Sequence, residues 1–72
     1  MQQELVTFAA RYGIPASVAY VLPALFERTA QLAGMEPRAL LARATYSNPA
    51  LGEYLAEAAR KVAREDGGEA AC

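Results

Sequence analysis

With 72 residues and a formal net charge of −1, the chain has room for one small domain and lacks the basic excess that attracts nucleic acid or anionic membranes. One cysteine and no histidine exclude an internal disulfide framework, the common single-chain zinc sites, and the Ser-His and Cys-His pairs of nucleophilic catalysis. The apolar fraction of 54% is rich in alanine, which favours helix but contributes little buried area.

The first predicted helix runs from Gln2 or Gln3 to Tyr12, with Leu5, Phe8, Ala9 and Tyr12 on one face. Glu4 in its first turn and Arg11 in its last suit the helix dipole. Gly13 is the expected left-handed cap, Ile14 the apolar residue that folds back over it, and Pro15 the start of the next helix.

The stretch from Ser17 to Ala33 is the densest apolar run, and the rest of the chain is expected to be arranged around it. Val18, Val21, Leu22, Leu25, Thr29 and Leu32 recur at helical spacing and predict the core-facing stripe, widened by Phe26 and Ala33. Pro23 breaks helical hydrogen bonding, so a short helix from Pro15 to Val21 is expected, then a sharp bend at Leu22 and Pro23, then a longer helix to Ala33. The uncharged run from Tyr12 to Phe26 is too short for a bilayer and reads as a core segment.

Gly34-Met35-Glu36-Pro37 repeats the connector chemistry of Gly13-Ile14-Pro15. The third predicted helix, Pro37 to about Thr45, points Leu40, Leu41 and Ala44 inward and Arg38 and Arg43 outward, with Tyr46-Ser47 as the turn. Asn48-Pro49 is the clearest helix start in the chain: an Asn cap, then proline at the first position. The fourth predicted helix runs to Arg64 or Glu65 with Leu51, Tyr54, Leu55, Ala58 and Val62 inward and Glu53, Glu57, Arg60, Lys61 and Arg64 outward. The expectation is therefore an all-α fold, a compact bundle of four to five short helices over residues 1–65, with 66–72 a disordered tail.

No catalytic, cofactor-binding or metal site is expected. Cys72 lies in the expected tail with Glu69 nearby, without the positive charge or helix N-terminus that activates a thiol. Glu53 and Glu57 share a helix face and read as solvated surface, and Gly67-Gly68 follows a helix where a phosphate cradle would precede one. The N-terminus has neither the basic start nor the apolar core of a secretory signal, so a cytoplasmic location is expected.

What remains is surface. Tyr20 lies away from the Val18, Val21 and Leu25 stripe, beside Ala16 and Ala24, and an aromatic among small residues without charge suits close contact with another protein. Ala16, Tyr20, Ala24 and Leu25, with Arg28 at the rim, are the expected contact surface of an interaction module whose partner is itself, as a homodimer, or a larger protein. The competing reading is a helix-turn-helix DNA-binding regulator using residues 37–64. It requires Arg38, Arg43, Arg60 and Lys61 to converge on one face without intervening acids.

Overall fold

Two glycine-capped turns divide the first half of the chain. The computed structural model describes the backbone of residues 2–71 and the side chains of residues 2–66, and its helices are α1 (Gln2–Arg11), α2 (Ala16–Ala19), α3 (Leu22–Ala33), α4 (Pro37–Ala42) and α5 (Pro49–Ala71), with a π-helical turn (Arg43–Ser47) between the last two. The expected all-α bundle is what forms.

Gly13 has φ 64° and Gly34 φ 69°, the left-handed conformation that lets a chain double back over a helix end. The Ile14 amide donates to the Ala9 carbonyl at 2.8 Å, and the Met35 amide donates to the Ala30 carbonyl at 2.9 Å. Shorter-range bonds from Gly13 to Ala10 and from Gly34 to Gln31 complete the same double closure at each end. Ile14 is buried, so its apolar fold-back is as expected.

The break in the central stretch falls earlier than expected. α2 ends at Ala19, and Tyr20 and Val21 form a tight turn in which the Val21 amide bonds the Val18 carbonyl at 3.1 Å. Pro23 then sits in the first turn of α3, where its missing N–H leaves no gap in the ladder.

α4 does not run on as an α-helix to Thr45. Its last turn widens, so that the Asn48 amide donates to the Arg43 carbonyl, five residues back, at 2.7 Å. Tyr46 and Ser47 belong to this π-helical turn. Asn48 leaves helical geometry, as a residue before proline tends to, and its Oδ1 accepts the Leu51 amide at 3.1 Å. Asn48-Pro49 starts α5 as expected.

The core centres on Phe8 and Phe26, whose rings meet edge to face at 5.1 Å between centroids, with Leu22, Leu40, Leu41 and Leu55 fully buried around them. This corrects the expected stripe on α3. The inward residues are Leu22, Phe26 and Ala30; Leu25 and Thr29 are half-buried, Ala33 is exposed, and Leu32 is 79% exposed. The helix is rotated by about one residue from the expected register, which puts the larger ring of Phe26 at the centre in place of Leu25.

α5 is corrected in the same way. Its inward face is Gly52, Leu55, Ala56, Ala59 and Ala63, while Tyr54 is 68% exposed and Val62 is also exposed. α5 packs chiefly on the π-helical turn, and that approach is close because the residues between are small. Its helix continues past Glu65, and Asp66, expected in the tail, is helical. The side chains of residues 67–71, and Cys72, lie outside the described residues. No helix of the described residues is long and apolar enough to cross a membrane.

Candidate interaction surface

α1, α2 and the start of α3 enclose a groove of about 800 Å³. Its cause is local composition. Ala9 and Ala10 on α1 face Ala16 and Ala19 on α2, so side chains too small to fill the space line both walls. Leu5, Ile14 and Leu22 form the floor and belong to the core, whereas Val6 and Pro23 stand at the rim. Val6 is 63% exposed, an apolar side chain left facing water beside an apolar trough.

Polar groups occur only at the margins. Gln2 contributes to the lining, and Tyr20 contributes its ring while its hydroxyl donates to Asp66 Oδ2 at 2.9 Å. Among the described residues, no charged side chain lines the groove. The hydrogen bond to Asp66 holds the Tyr20 hydroxyl protonated to higher pH than an ordinary tyrosine, with partial burial and the negative charge of Asp66 acting in the same direction.

Of the residues expected to form the contact surface, Ala16 and Tyr20 line the groove and Ala24, Leu25 and Arg28 do not. Ala24 and Arg28 are exposed and Leu25 is half-buried against the core. Arg28 follows Pro23 by five residues, which turns it about 140° around the helix from the groove rim. Sequence reasoning missed Val6, Ala10 and Pro23. The signal for the first two was present: Val6 is the bulky apolar residue of α1 that the Leu5, Phe8 and Tyr12 stripe leaves out, and Ala10 lies one turn along from it.

Arg60, Arg11 and Arg38 each have an identified neighbour within the fold. Arg60 Nη2 donates to the Tyr12 carbonyl at 2.9 Å, which closes the C-terminal end of α1 and places a cation where the helix dipole favours one. Arg11 lies 5.8 Å from the centroid of the Tyr46 ring. Arg38 is near enough to Glu4 to help hold that carboxyl below its usual range, an effect due first to a backbone hydrogen bond. Glu53 and Glu57 share a shallow hollow with Arg60 and the exposed ring of Tyr54. Acids are thus interspersed among the cations of α5.

No known protein family, curated protein or solved structure matches this chain.

Proposed function

We propose that this chain is a non-enzymatic interaction module that self-associates through the groove between α1 and α2. The observation that carries the reading is an apolar trough, lined by no charged side chain among the described residues, with Val6 and Tyr20 exposed at its margins, in a chain with one cysteine and no histidine to staple it. Small domains without disulfides or structural metals commonly gain stability by covering such a surface with a second copy. Among the described residues the lining carries no charged side chain, which favours the approach of two copies without like-charge repulsion.

The helix-turn-helix alternative is disfavoured by the surroundings of two cations and two acids. Arg60 is engaged with the Tyr12 carbonyl, Arg11 with Tyr46, and Glu53 and Glu57 occupy the part of α5 that would approach a phosphate backbone.

Light scattering in reducing buffer over a wide concentration range tests the proposal. The expected result is a mass rising from monomer to dimer, and its loss in Val6→Lys, whose new charge sits at the groove rim but outside the core. A monomeric wild type at every concentration overturns self-association and leaves docking to a different protein as the use of the surface.

A further inference from the structure

α2 is the shortest helix of the bundle, and only Val18 and Ala19 of its side chains pack against the core. It is four residues long, buries none of its side chains fully, and has no side-chain cap at its start. The left-handed Gly13 precedes it, and the Tyr20–Val21 turn separates it from α3. Its neighbours on either side, Ile14 and Leu22, are buried and fixed. A short segment without a fully buried side chain, between two buried points, opens at lower free energy than the bundle as a whole.

Among the described residues, one side-chain hydrogen bond reaches across from this segment to a distant part of the chain. The Tyr20 hydroxyl, at the end of α2, bonds the Asp66 carboxylate near the far end of α5, over a separation of 46 residues. The same tyrosine lines the groove, together with Ala16 and Ala19 of α2. We infer that α2 is the movable wall of the groove and that the Tyr20–Asp66 hydrogen bond is the latch holding that wall against α5.

The inference rests on the groove being the contact surface only for its purpose, not for its geometry. When the latch is made, Tyr20 is drawn toward α5 and the groove has the width seen here. When it is broken, α2 turns between Ile14 and Leu22 as a unit, and the wall bearing Ala16 and Ala19 moves relative to α1. The position of the end of α5 therefore governs the shape of the groove.

Amide hydrogen exchange on dilute protein tests this without an occupant. The probes are the Ala19 and Val21 amides, bonded within the segment to Pro15 and Val18, and the Tyr12 amide at the end of α1 serves as the reference. Tyr20→Phe and Asp66→Ala are each expected to raise exchange at Ala19 and Val21 roughly three- to tenfold, the range of one modest hydrogen bond, with Tyr12 unchanged. The double variant is expected to exchange no faster than the faster single variant, because both remove the same bond. Unchanged exchange in α2, multiplicative effects in the double variant, or an equal rise at Tyr12 would each overturn the latch. Self-association is read separately by light scattering, so a failure of the groove reading and a failure of the latch are told apart.

Discussion

The Tyr12 hydroxyl donates to the Ala44 carbonyl oxygen at 3.0 Å, across 32 residues of sequence. That carbonyl has lost its usual partners. The Asn48 amide, which would serve it in an α-helix, is spent on Arg43, and the residue that would serve it in a continuing π-helix is Pro49, which has no N–H. A tyrosine from the end of α1 thus satisfies a backbone group orphaned by the helix start at Asn48-Pro49. The ring of Tyr12 also stacks at a tilt on Phe8, 4.8 Å between centroids, so the hydroxyl is held by packing from behind.

This arrangement requires glycine at position 52. A Cβ there would overlap the Tyr12 hydroxyl and the Ala44 carbonyl oxygen, neither of which is free to withdraw. Gly52→Ala is expected to destabilise the fold by about 2–3 kcal/mol despite alanine's better helix propensity. Tyr12→Phe, which leaves the Ala44 carbonyl unpaired, is expected to destabilise by about 1–2 kcal/mol. The two changes share one contact, so urea unfolding of the double variant is expected to give less than the sum.

The rotational position of α3 predicts a contrast between two large apolar residues six apart. Phe26 is fully buried and Leu32 almost fully exposed. Phe26→Ala is expected to lower stability by about 3–5 kcal/mol, enough to unfold a small domain, while Leu32→Ala stays within about 0.5 kcal/mol of the wild type. Urea denaturation checks both. The reverse order would mean that the stripe of Leu25, Thr29 and Leu32 faces the core after all.

Tyr20 should titrate above the ordinary tyrosine value of 10.0, because its proton is shared with Asp66. Its proton affinity is higher in the folded state, so this contribution to stability is present below the unfolded tyrosine pKa and is lost as pH rises through the folded one. The alkaline titration of Tyr20, followed by phenolate absorbance, is expected to lie above 10.0, and Asp66→Ala to lower it. If the titration curve is the same in the variant, the hydrogen bond is not formed in solution.

Helix boundaries were readable from the sequence wherever one residue type is required by backbone geometry. Gly13 and Gly34 take a left-handed conformation that side-chain-bearing residues avoid, and Asn48 with Pro49 supplies a cap acceptor and a residue that needs no donor. The inward positions of Leu40, Leu41 and Ala44 were also legible, since Arg38 and Arg43 mark the opposite side of a short segment. For the candidate surface, Ala16 and Tyr20 were legible as apolar residues off the main stripe, but their companions across the groove were not.

By itself, then, the sequence determined the helical class, the cap positions and the start of α5, because those depend on backbone chemistry within a few residues. The tertiary structure decided which way the two main helices turn. α3 is apolar around most of its circumference, so several registers satisfy the pattern equally, and packing against Phe8 selected the one with Phe26 inside. α5 turned Gly52 inward because the Tyr12 hydroxyl and the Ala44 carbonyl leave no room there for a side chain, with Leu55, Ala56, Ala59 and Ala63 on the same side, and a hydrophobic count favours the larger Tyr54 and Val62 that were left outside. The groove was likewise decided by tertiary packing: alanines that face alanines across α1 and α2 leave space, and no local pattern records which helices will meet.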